Sequence, residues 1–125
     1  MRLLLDTHVF IWSVTGSRRL STKGRALLAS ADAVFVSAAS IWEIAIKARL
    51  GKIDGDVAEF AATIDSSGYH ELAITTRHTA AVASLPLHHR DPFDRLLLAQ
   101  SMIEPLRFIT TDHAFTAYGV GTAEL

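Results

Sequence analysis

Three short runs carry no charge and almost no polarity: Leu3-Leu4-Leu5, Ala33-Val34-Phe35-Val36 and Phe108-Ile109. Each is too brief for a helix. Each is also apolar at every position, not at alternate ones, the mark of a strand covered on both faces. With a fourth candidate at His70–Ala73, the expected strands are Arg2–Leu5, Ala33–Val36, His70–Ala73 and Arg107–Thr110. The segments between them are longer and read as helices. Strands alternating with helices lead to an α/β fold, a three-layer α/β/α sandwich around a central, mainly parallel sheet with right-handed crossovers.

The helices are delimited by their ends. After the first strand a loop or short helix runs through Trp12. Ser21 is an N-cap candidate for a helix to Ser30, and Ser37 for a long one to Leu50, closed by Gly51. Further helices are expected at Val57–Ser66 and Thr76–Ser84. Asp91-Pro92, a cap followed by proline at the first helical position, opens another to about Ile103. Asp112–Ala117 is a candidate for a short last helix. No repeat, low-complexity tract or linker divides the 125 residues, so one domain, 1–125, is expected.

Several functions are excluded by composition. With no cysteine the chain has no disulfide, thiolate zinc site or cysteine nucleophile. No G-x-G-x-x-G or P-loop is present. Its apolar runs fall far short of the roughly 18–20 residues of a membrane span, and an acid at position 6 interrupts the N-terminal apolar run, so a cytoplasmic protein is expected. The six histidines include no H-x-x-x-H or HExxH spacing. The adjacent His88 and His89 suit the lining of a cleft or a loop cap better than a zinc site.

Four acids fall where chemistry is expected. In open parallel sheets ligands bind beyond the carboxyl ends of the strands, and Asp6 and Asp112 follow two of them. Asp is also common wherever a strand hands over to a helix, so neither decides alone. On the 37–50 helix, at about 100° per residue, Ile41, Ile44, Ala45 and Ala48 form the expected core stripe, widened by Trp42 and Ile46. Glu43 and Lys47 share the remaining sector. They are either an exposed i,i+4 pair or a carboxylate projecting into a polar cavity. Asp94 lies on the row of Leu97, Leu98 and Ser101, which should face inward. With Asp91 already at the cap, an inward Asp94 points to function. Carboxylates brought to one mouth of the sheet repel one another unless a cation joins them, and oxygen-only ligands suit Mg²⁺ or Mn²⁺.

The ordered stretches LLLDTHVFIW, SAASIWEIAIKARLGKI, LPLHHRDPFDRLLLAQSM and FITTDHAFTAYGV span nearly the whole chain. Together they resemble the PIN-domain family, and within it the VapC-type toxin ribonucleases of bacterial toxin–antitoxin pairs. The resemblance implies that Asp6, Glu43, Asp94 and Asp112 are the catalytic, metal-holding acids, with Thr7 and Thr111 orienting their neighbours. It implies an endoribonuclease in which a metal-activated water attacks phosphorus, leaving a 5′-phosphate and a 3′-hydroxyl. It also implies an RNA substrate, a cognate antitoxin whose C-terminal segment crosses the active-site groove, and a homodimer formed through helical faces.

Two other classes compete. Aspartate-based phosphoryl transfer needs a second acid close behind the first, and the residue two after Asp6 is His8. A PIN-like nucleic-acid or protein-binding module would keep the fold without binding metal. Trp12 and Trp42 are expected in the core or an interface. The charge balance of 12 Lys+Arg against 13 Asp+Glu argues against a general nucleic-acid binder only as a sum. Setting the four site acids aside leaves nine acidic residues against 12 basic. Arg18, Arg19, Lys23 and Arg25 form one basic cluster, Lys47, Arg49 and Lys52 another, while residues 54–71 carry acids alone. These clusters suit RNA phosphates or an acidic partner tail.

Overall fold

The computed structural model describes residues 1–86 and 91–112. Four parallel strands, β1 (Arg2–Leu5), β2 (Ala33–Ser37), β3 (His70–Leu72) and β4 (Arg107–Ile109), form one sheet in the order β3-β2-β1-β4. Helices α1 (Thr7–Thr15) and α2 (Thr22–Ser30) connect β1 to β2, and α3 (Ala38–Arg49) and α4 (Val57–Ser66) connect β2 to β3. Helix α5 (Thr76–Ala81), a 3-10 turn at Val82–Ser84 and helix α6 (Pro92–Ile103) lead back to β4. The sandwich inferred from the uninterrupted apolar runs is therefore the architecture found.

Successive side chains on a strand point to opposite faces, and the two cores divide accordingly. Leu3, Leu5, Val34, Val36 and Ile109 meet Val9 and Phe10 of α1, Leu28 of α2, and Phe60 and Ile64 of α4. Leu4 and Phe108 face the other way, onto Leu96, Leu97 and Leu98 of α6. From β1 the chain steps outward twice, then returns across the sheet to place β4 on the far side of β1. Crossovers of a single hand put the helices of the outward steps on one face and those of the return on the other, as observed. The reversal makes the gap beyond β1 and β4 the switch point of the sheet, where α/β proteins place ligands.

Local chemistry sets the element ends. Ser21, Ser37 and Asp91 cap α2, α3 and α6, each side chain accepting from backbone amides of the first turn. Gly51, just past α3, takes the left-handed conformation at φ 72°. Two expectations need correction. The segment after β1 is a full nine-residue helix, because Asp6 caps it and Gly16, at φ 70°, ends it. The helix expected to reach Ser84 tightens into the 3-10 turn after Ala81. His88, His89 and residues 113–117 of the expected last helix lie outside the described residues.

Candidate acid site at the carboxyl edge of the sheet

Asp6 sits at the switch point, buried, and its carboxylate is doubly committed. Oδ1 accepts from the amides of His8 at 2.7 Å and Val9 at 3.1 Å, capping α1. Oδ2 accepts from the Thr110 hydroxyl at 2.6 Å, and the Asp6 amide donates to the Ile109 carbonyl at 2.9 Å. Thr110, just beyond β4, in turn accepts from the backbone amide of Asp112 at 3.0 Å. One buried hydroxyl thus ties the acid after β1 to the segment bearing the acid after β4. The threonine that orients Asp6 is Thr110, not the adjoining Thr7 expected to do so. Thr7 donates instead to Ser40 Oγ at 2.9 Å, joining the start of α1 to the first turn of α3.

Glu43 lies one turn further along α3, and there the helix departs from the expected orientation. Its buried residues are Ala39, Ser40, Glu43 and Ile44, whereas Ile41, Ala45 and Ala48 are only partly buried. Trp42 is 57% exposed, Ile46 39% and Leu50 62%. The residues expected to widen the core face out, and the sector assigned to Glu43 and Lys47 faces in. The reason is positional: α3 turns toward the crevice beyond the strands, which is lined by polar groups, so its polar row is the inner one. Both readings of Glu43 hold in part. The i,i+4 ion pair with Lys47 exists, Nζ to Oε2 at 2.6 Å, but Glu43 is only 3% exposed.

Asp94 occupies the first turn of α6, partly buried, in line with the fully buried Leu97 and Leu98 and with buried Ser101. The residues next to Glu43 and Asp94 touch, Trp42 meeting Phe93 edge-on with ring centroids 4.9 Å apart. Asp91 Oδ1 accepts from the amides of Phe93 at 2.9 Å and Asp94 at 3.2 Å, the capping role expected of it. Asp91 and Asp94 are both close enough for their charges to act on Lys47. Burial is the largest single influence on that ammonium and pulls its pKa down. The Glu43 hydrogen bond and the charges of Glu43, Asp91 and Asp94 outweigh it, and the net shift is upward.

The four acids therefore stand on adjoining elements in two linked groups, Asp6 with the Asp112 segment and Glu43 with Asp94. Among the described residues no three His, Cys, Asp or Glu side chains are grouped to hold a metal ion. Asp6 and Glu43 are turned to partners of their own. Two buried side-chain oxygens have no hydrogen-bond partner among the described residues, Gln100 Oε1 on α6 and, in this site, Glu43 Oε1. A buried, unsatisfied carboxylate oxygen is costly, and the four acids offer only oxygen atoms, the donor type that a hard divalent cation takes. The i,i+4 spacing of Lys47 was visible in the sequence. Thr110 was not, since it meets Asp6 only through the pairing of β4 with β1. A separate cleft of about 410 Å³ opens at the amino ends of β2 and β3, between Leu20, Arg25, Asp32 and His70; none of the four acids lines it.

Known proteins fit this arrangement. The toxin VapC20 of Mycobacterium tuberculosis, which cleaves the sarcin–ricin loop, superposes with a TM-score of 0.71 at 16% identity, covering 97% of this chain and 98% of that one. FitAcB of Neisseria gonorrhoeae gives 0.68 at 20% identity, with 98% and 96% covered. A toxin–antitoxin complex of Klebsiella pneumoniae gives 0.66 at 20% identity, with 96% of each covered. No curated protein matches the sequence. The model of the PIN domain matches residues 3–121, nearly the whole length over which the parallel sheet and its edge of acids are built, and the chain belongs to the PIN-domain family.

Proposed function

We propose that this chain is an endoribonuclease dependent on Mg²⁺ or Mn²⁺ and the toxin of a bacterial toxin–antitoxin pair, acting in the cytoplasm. The observation that carries the reading is Glu43, a buried carboxylate with one oxygen unpartnered among the described residues, at the same edge as Asp6, Asp94 and Asp112. Asp6, Glu43 and Asp94 would hold the ion, and Asp112 would complete the site directly or through water. When bound, a divalent cation supplies charge neutralisation at the scissile phosphate and a more acidic water.

The chain's own residues do the rest. Two α1 amides and the Thr110 hydroxyl hold the Asp6 carboxylate in one orientation. Lys47 neutralises Glu43 in the ion-free protein. The Asp91 cap fixes the first turn of α6 and with it the backbone of Asp94. Exposed Arg49 at the end of α3 and Lys52 just beyond it are suited to RNA phosphates. The toxin–antitoxin complex of Klebsiella pneumoniae supports an antitoxin partner, and two of the matched structures, VapBC2 of Rickettsia felis and FitAB, are bound to DNA fragments. A homodimer is part of the same proposal, with the exposed apolar edge of α3 as a suitable face.

Two measurements test this reading. Calorimetric titration with Mn²⁺ should give saturable binding that Asp6→Asn and Asp94→Asn remove while circular dichroism stays native. Sequencing of RNA 5′ ends after brief induction should give discrete new ends, missing for Asp94→Asn. Wild-type protein that binds no Mn²⁺, or full cleavage by both variants, would overturn the proposal. No Mn²⁺ binding together with retained affinity for RNA would favour the binding module.

A further inference from the structure

Lys47 belongs to the acid site and yet has no part in the function proposed above beyond neutralising Glu43. Its ammonium lies 2.6 Å from Glu43 Oε2, and its side chain is 29% exposed, whereas Arg49 two residues on is exposed. Glu43 is buried, and its two oxygens differ in kind: Oε2 is taken by Lys47, while Oε1 has no partner among the described residues. Asp91 and Asp94 also act on Lys47 from the start of α6. The open oxygen is costly to bury beside a salt bridge, and it is the one carboxylate oxygen of Glu43 that Lys47 leaves available.

We infer that Lys47 is a positioning residue that reserves Glu43 Oε2, so that Glu43 offers a divalent cation Oε1 alone. The inference rests on the metal-binding reading above. Two consequences follow from the chemistry of the ions. A carboxylate limited to one oxygen suits Mg²⁺ and Mn²⁺, which keep six ligands and several waters, and disfavours Ca²⁺, which commonly takes carboxylates through both oxygens. The fixed ammonium is also a like charge beside the incoming ion. It weakens binding overall while offsetting the negative charges of Glu43 and Asp94, both of which act on it, before loading.

The test compares wild type with Lys47→Met, Lys47→Gln and Lys47→Arg at about pH 8, titrating each with MnCl₂ alone and CaCl₂ alone and following thermal unfolding of the ion-free protein. Lys47→Met should bind Mn²⁺ about tenfold or more tightly than wild type. Its Ca²⁺ affinity should rise further, moving the Ca²⁺/Mn²⁺ ratio toward Ca²⁺ by roughly threefold or more. Lys47→Arg, which keeps charge and hydrogen bond, should stay within about twofold of wild type for both ions. If Lys47→Met fails to fold without metal, Lys47→Gln carries the test with the same expectations. Any other pattern, unchanged affinities or both weakened alongside a lowered melting temperature, overturns the inference and leaves Lys47 a structural partner. Wild type that binds neither ion overturns the metal reading itself, so the two failures are told apart.

Discussion

Helices α3 and α6 are both 12 residues long, both begin at a capping side chain after an extended segment, and both carry a candidate acid. They nevertheless face the protein in opposite senses. Helix α6 buries Leu96, Leu97, Leu98 and Ala99 and presents Asp94 from its first turn, as amphipathic patterning dictates. Helix α3 buries Ser40 and Glu43 beside Ala39 and Ile44 and shows Trp42 and Ile46 to the outside. The contrast teaches that an apolar stripe marks the inward face fully only where the interior is itself apolar. Beside a polar crevice the inner face also takes up polar side chains, Ser40 and Glu43 next to Ala39 and Ile44, and Trp42 and Ile46 are left outside.

The comparison is broken most severely at the inner row of α6. Leu97→Ala should cost about 2–5 kcal/mol in unfolding free energy, since Leu97 is fully buried in the second core; urea denaturation giving a loss below about 1 kcal/mol would remove the contrast. The inner row of α3 should respond in the other direction. Replacing Glu43 and Lys47 together by methionine exchanges a buried ion pair for apolar side chains, which should be neutral to about 4 kcal/mol stabilising and should eliminate Mn²⁺ binding. A large destabilisation in the same denaturation experiment would show that α3 needs its polar row for folding.

Smaller changes sharpen the picture. Thr110→Val removes the donor to Asp6 Oδ2 and the acceptor for the Asp112 amide. A loss of about 1–3 kcal/mol and a roughly 10–100-fold weaker Mn²⁺ affinity are expected, read by denaturation and calorimetry. The Lys47 contribution to stability carries a pH signature. A group raised in the folded state above its ordinary 10.5 stabilises fully below that value and loses the contribution as pH climbs through the folded pKa. The stability difference between wild type and Lys47→Met should hold steady below 10.5 and shrink above it; a difference that grows with alkalinity would reverse the sign. Least affected is the outer row: Ile46→Lys should change unfolding free energy by no more than about 0.5 kcal/mol and, in ultracentrifugation, weaken any self-association through that face.

Much of this was legible in the residues. Ser21, Ser37 and Asp91 were identifiable as caps because capping depends on one side chain and the amides two or three positions on. The strands were identifiable because burial on both faces leaves no polar position in the run. Asp94 was placed correctly because its neighbours at i+3 and i+4, Leu97 and Leu98, fixed its row. Asp6 proved to be both an ordinary strand-end cap and a member of the acid edge, two roles that spacing could not separate.

Local chemistry was enough for the caps at Ser21, Ser37 and Asp91 and for the strands, since each depends on residues a few positions apart. The facing of α3 and the Thr110 bridge to Asp6 were decided only when the chain closed on itself. Which side of α3 is inside depends on what lies across the crevice, and that is brought there by β4 and α6 from more than 50 residues away. Glu43 is buried because the fold has a polar interior at that edge, a property of the assembled sheet and not of the helix that carries it.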